Sequence, residues 1–207
     1  MIDYVTLMLV NMIAGLVVLA SFLWWGFGRE DLRPWAAGFA LPGVVATVSG
    51  FAMTFTWPIP APYSMAFGEM SVFFGVLFLG AAWALACRWS LVPLGIYAFF
   101  PGAAAILLGV RLIDLSLTRM PWLSGIGFIV TGLGGLFACV TLLLGRYKVL
   151  RIVGGLVMLA AAALWVPTGY IAYWDHMKVK QPQQQEQQST RDASPDAGKS
   201  ETGSGGE

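Results

Sequence analysis

Six apolar blocks, each about as long as a bilayer is thick, constrain this chain more than any other feature, because most of its charges fall in the gaps between them. The blocks are Val5–Phe27, Trp35–Trp57, Met70–Cys87, Leu91–Leu117 (broken by Arg111 and Asp114), Trp122–Gly145 and Ile152–Trp174. At about 1.5 Å per residue each spans the ~30 Å hydrocarbon layer, where only helices and closed barrels satisfy their own backbone. Barrel strands alternate apolar and polar residues, and these runs do not. The sequence therefore predicts an all-α, polytopic membrane bundle of six transmembrane helices.

Hydrophobic residues make up 57% of the 207 residues and charged residues 11%, against about a quarter charged in a soluble domain. The net charge of +1 leaves no basic footprint for nucleic acid, and the lipid bilayer is the expected partner. Met1-Ile2-Asp3-Tyr4 lacks the basic start of a signal peptide, so the first span is expected to be retained. Arg29, Arg33, Arg88, Arg146, Lys148 and Arg151 gather in loops 1–2, 3–4 and 5–6, whereas the opposite loops hold Arg111 and Arg119, with Lys178 and Lys180 after the last span. The positive-inside rule then places the chain in a cell (inner) membrane with both termini on the non-cytoplasmic side. Beyond the six-span domain, 1–177, the tail 178–207 is rich in Gln, Ser and Gly and is expected to be disordered.

Small residues mark the packing surfaces. Pro42-Gly43 through Gly50 and Pro101-Gly102 through Gly109 share the pattern P-G-x-x-A-x-x-x-G in spans 2 and 4, as either a parallel duplication of a helical hairpin or chance convergence of small membrane-helix residues would produce; each proline is expected to bend its helix. Span 5 carries Gly127, Thr131, Gly135 and Cys139 at four-residue steps, a ridge over which a second backbone can approach. Gly154, Gly155 and Ala160 to Ala163 thin one side of span 6, so spans 5 and 6 are expected to pair. Cys87 and Cys139 read as small packing residues on the side where disulfides are rare.

Between spans 2 and 3, Trp57, Pro58, Pro60, Pro62 and Tyr63 predict an extended, polyproline-like segment, either a plain interfacial linker or a lid over an outer cavity. This Pro58-Ile59-Pro60-Ala61-Pro62-Tyr63 run closing on Phe67-Gly68-Glu69, with Ser124-Gly125-Ile126-Gly127-Phe128, Thr131-Gly132-Leu133-Gly134-Gly135 and Thr168-Gly169-Tyr170, resembles a family of prokaryotic multi-span proteins, domain of unknown function 981. The resemblance covers about residues 1–177 and implies the six-span architecture; it carries no activity or site residues with it.

Ionisable groups in membrane helices are costly, so they are the natural candidates for function. Asp3, Glu69, Arg111, Asp114, Asp175 and His176 map to one side, with Asn11 deeper in span 1. Each also has a structural explanation. Glu69 opens span 3, where the helix dipole favours a carboxylate; His176 and Asp175 fit an interfacial helix end; Asn11 fits an interhelical hydrogen bond. Arg111 is flanked by leucines, which predicts one or two further helical turns beyond its guanidinium, from which it reaches the interface by snorkelling. Spans 3 and 4 are joined by a short turn and should lie antiparallel, which brings Glu69 and Arg111 to one height and predicts an ion pair, with Asp114 as second acceptor.

One histidine excludes a bis-histidine haem within the chain, and the sequence has no zinc cluster, nucleotide-phosphate loop or nucleophile elbow. Two function classes follow. One is a non-catalytic membrane subunit or scaffold of a larger complex, such as a respiratory or quinone-using one, with a membrane protein or a second copy of the chain as partner. The other is a small proton-coupled transport module with an outward polar cavity lined by Glu69, Arg111 and Asp114.

Overall fold

The computed structural model describes residues 4–144 and 147–176, and the side chains of all of these except Tyr4, Ala61, Tyr173, Asp175 and His176. Asp3, Arg146, Lys178, Lys180 and the tail from 178 onward lie outside the described residues. Every regular element described is helical, and six helices are long and apolar enough to cross a membrane. The six spans are Val5–Gly26, Arg33–Thr56, Ser64–Ala86, Val92–Asp114, Pro121–Leu143 and Lys148–Ala172. They belong to one compact unit that ends at Ala172; the last helix, Lys148–His176, runs on into a second unit that starts at Tyr173.

Span 3 begins earlier than its apolar block. A helical turn at Ala61–Tyr63 leads into a π-helical stretch, Ser64–Glu69, and on into the α-helix Met70–Ala86. The reason is local: Pro62 sits in a first turn, where its missing N–H is not needed, and Tyr63 and Ser64 donate their N–H groups to the Pro60 carbonyl. The non-helical path between spans 2 and 3 is therefore confined to residues 57–60, shorter than the extended segment predicted from the alternating prolines. Trp57 closes span 2 in the left-handed conformation at φ 44°.

The backbones approach most closely in two hairpins, span 2 with span 3 and span 4 with span 5. Glycine explains both. A Cβ added at Gly43 would lie 2.9 Å from the Leu79 nitrogen, one at Gly50 2.7 Å from the Val72 nitrogen, and one at Gly75 2.5 Å from the Thr47 nitrogen. In the second hairpin, Gly102 faces the Leu136 nitrogen at 2.8 Å, Gly109 faces the Ile129 nitrogen at 3.1 Å, and Gly132 faces the Ile106 nitrogen at 3.1 Å. Gly43, Gly50 and Gly75 thus correspond to Gly102, Gly109 and Gly132, and the backbone nitrogens they meet correspond as well. The two hairpins are packed in the same register, and the left-handed Trp57 has its counterpart in Ser116 at φ 49°. The pattern shared by spans 2 and 4 is therefore the outward sign of a shared packing unit.

The expected pairing of span 5 with span 6 is corrected by these contacts. A Cβ built at Gly135 would lie 3.0 Å from the Gly102 Cα, and one built at Gly95 2.9 Å from the Cys139 Cα, so half of the predicted ridge belongs to span 4. The other half, Gly127 and Thr131, faces span 6: Trp165 lies over Gly127 and donates to Thr131, and the Met158 methyl lies over the neighbouring Gly134. Span 6 has its own glycine filled from span 1, where Trp24 lies over Gly155. A four-residue step drifts around a helix by about 40° each time, so one such row cannot face one neighbour along a whole span. A seven-residue step nearly can. Gly95, Gly102 and Gly109 meet Cys139, Gly132 and Gly125 in that order, each set at steps of seven.

Trp165 stands at the centre of the core, fully buried with Leu9, Leu16, Ala161, Ala162, Phe128 and Leu112. Its ring meets Phe128 edge-on at 5.1 Å, and Phe128 in turn meets Phe67 at 5.7 Å. Its Nε1–H donates to Thr131 Oγ1 at 3.2 Å, which satisfies the indole inside an apolar core. A second cluster, Phe22, Phe39, Phe78, Ala82 and Leu85, joins spans 1, 2 and 3.

Candidate functional site

Of the six candidate polar residues, the four whose side chains are described, Asn11, Glu69, Arg111 and Asp114, do not form one cluster. Asn11 is half-buried, and its Nδ2 donates to the Pro42 carbonyl at 2.9 Å, so it ties span 1 to span 2. Arg111 and Asp114 pair with each other at 2.8 Å on one helix, with side chains 56% and 60% exposed. The helix Val92–Asp114 ends at that pair, with the N–H of its cap Leu115 donating to the Arg111 carbonyl, so of the one or two further turns predicted beyond Arg111 about one forms. Arg111 stands in the last turn, where the helix dipole favours a cation. Asp175 and His176 close the last helix, and their side chains lie outside the described residues.

Glu69 is half-buried at the end of the π-helical stretch, about two turns inside its helix rather than at its start. The helix-dipole explanation offered by its apparent position at a helix N-terminus therefore does not apply. Among the described residues, no hydrogen bond or ion pair reaches it. The predicted Glu69–Arg111 pair is not formed, for a reason set by the hairpins: span 3 gives its close face to span 2 and span 4 gives its close face to span 5. Spans 3 and 4 meet beside their connecting turn, where Leu94 fills the space over Gly80.

The proline segment is pinned. Tyr63 donates its hydroxyl to the Leu117 carbonyl, joining loop 2–3 to loop 4–5, and Ser64 donates to the Ile59 carbonyl at 2.8 Å. Thr118 and the buried Ser124 share a hydrogen bond at 3.2 Å in the same region. Trp57, Pro58 and Pro60 remain exposed beside it. Such a segment acts as a brace between the two hairpins. No group of three or more His, Cys, Asp or Glu suited to a metal ion occurs among the described residues.

At the opposite end, Asp31 accepts from the Arg33 backbone N–H at 3.2 Å and from Arg33 Nε at 3.1 Å, with Arg88 at 4.0 Å. These hydrogen bonds hold its carboxyl below the usual carboxylate range. Trp165, which organises the core, was not singled out by sequence; its signal was a tryptophan in the middle of a span, away from the interfacial belt that such residues favour.

The residues that carry the family resemblance do packing work: Gly125 against Gly109, Gly132 against Gly102, Thr131 with Trp165, Tyr63 with Leu117. Among curated proteins and among solved structures, nothing matches the chain. A family profile does match, over residues 1–179, described as a protein of unknown function, DUF981. With all six apolar spans inside that match, the chain belongs to the DUF981 family.

Proposed function

We propose that this protein is a non-catalytic membrane subunit or scaffold of a larger membrane complex, held in a cell membrane with loops 1–2, 3–4 and 5–6 on the cytoplasmic side. The observation that carries this reading is how the chain uses its polar groups. Asn11, Tyr63 and Thr131 brace one span or loop against another, and the centre that a transport pathway would need is filled by Trp165, Ala161 and Leu112, each 1% exposed or less. Glu69 is the candidate left for a partner, since a half-buried carboxylate in a membrane helix asks for a donor.

The test is purification from native membranes in mild detergent, followed by sizing and identification of co-purifying chains. The reading expects an assembly larger than one chain that Glu69→Gln weakens. A lone monomer, together with proton flux in proteoliposomes that Glu69→Gln abolishes, would overturn it in favour of the proton-coupled transport module.

A further inference from the structure

We infer that the junction of spans 1 and 6 is a binding site for the headgroup of an anionic phospholipid. Span 1 ends in a π-helical turn, Phe22–Gly26, which sets Trp24 and Trp25 on neighbouring sides of the helix end. Trp24 Nε1–H donates to the Ile152 carbonyl at 3.3 Å, fastening this turn to the first turns of span 6. Between them lies a cavity of about 230 Å³ lined by Leu23, Trp24, Trp25, Lys148, Arg151 and Ile152. That is several times the ~30 Å³ share of a water molecule, and large enough for a phosphodiester.

The lining has two cations and no carboxylate. Arg151 is anchored from behind: its Nη1 donates to the Phe27 carbonyl, and its guanidinium lies 5.9 Å from the Phe27 ring centroid. Its Nε is buried and finds no partner among the described residues, and Lys148 has no ion pair among them either. Asp31, a carboxylate of the same end, is taken up by Arg33 and Arg88. Two cations line an open cavity, Arg151 held in place with a buried donor unsatisfied and Lys148 exposed beside it, and together they form a site suited to an anion. Exposed Trp25 on the rim fits the glycerol level of a lipid, where indoles settle. Basic pockets between membrane helices recognise lipid phosphates in this way.

The test uses the full chain in detergent micelles, titrated with phosphatidylglycerol and, separately, phosphatidylcholine and inorganic phosphate, with bound lipid read by native mass spectrometry. Phosphatidylglycerol should bind in preference to phosphatidylcholine, and millimolar phosphate should not displace it. Lys148→Ala and Arg151→Gln should each weaken phosphatidylglycerol about five-fold, the weight of one cation near a lipid phosphate. Arg29→Gln, which removes an exposed charge of the same loop region without touching the cavity, should leave binding unchanged. Lys148→Ala keeps the Arg151–Phe27 contact and decides the matter if Arg151→Gln fails to fold. Equal binding of both lipids, or equal loss in Arg29→Gln and Lys148→Ala, overturns the site; displacement by phosphate overturns the lipid as its ligand.

Discussion

Replacing Gly102 by alanine tests the packing unit most directly. A Cβ there would lie 2.7 Å from the Gly132 carbonyl oxygen, 2.8 Å from the Leu136 nitrogen and 3.0 Å from the Gly135 carbonyl carbon. Ordinary van der Waals contact begins near 3.4 Å, so spans 4 and 5 must part by about 0.7 Å (3.4 less 2.7), and backbone cannot swing aside as a side chain would. A gap of roughly 0.5–1 Å forfeits a quarter to a half of each dispersion contact, each worth ~0.1–0.2 kcal/mol. Over the few dozen atom pairs of a helix interface the loss is on the order of 1–3 kcal/mol, the range found for overpacked cores. Gly38→Ala is the internal control, since its Cβ would meet only the Val18 methyl at 3.4 Å. The assay is reversible unfolding in mixed micelles followed by tryptophan fluorescence. A Gly102→Ala protein within 0.5 kcal/mol of wild type, or an equal loss in Gly38→Ala, would refute the argument from register.

Trp165→Phe and Thr131→Val should show a coupling of about 0.6 kcal/mol in a double-mutant cycle, because each breaks the same interhelical hydrogen bond; zero coupling would mean that Thr131 is occupied by the Gly127 carbonyl alone. Arg111→Gln and Asp114→Asn should each change stability by less than about 1 kcal/mol, as solvent and headgroups screen an exposed pair. The charge swap Glu69→Arg with Arg111→Glu should be additive, and mutual rescue would restore the pairing that the hairpins disfavour. Cys87, exposed at the end that the basic loops mark as cytoplasmic, should react with an impermeant thiol reagent only after lysis; labelling of intact cells would reverse the orientation.

The number of spans and their approximate positions, though not where span 3 begins, were legible in the sequence because a bilayer acts on each segment by itself. A run of about twenty apolar residues must satisfy its own backbone wherever its neighbours stand. The repeat in spans 2 and 4 was legible for the same kind of reason, being a string of small residues in one helix. What required the tertiary structure was every choice between faces. Span 5 carries small residues at Gly125, Gly127, Gly132, Gly134 and Gly135, enough for two neighbours, and only the seven-residue match with Gly95, Gly102 and Gly109 assigns one face to span 4 while Trp165 and Met158 claim the other. The fate of Glu69 and Arg111 followed from that choice, since equal height along two helices says nothing about rotation. The brace from Tyr63 to Leu117 and the cationic cavity of Lys148 and Arg151 join residues 54 and more positions apart. Their formation depends on how whole helices rotate and approach, which the steric fit of glycine faces decides and local hydrophobicity does not.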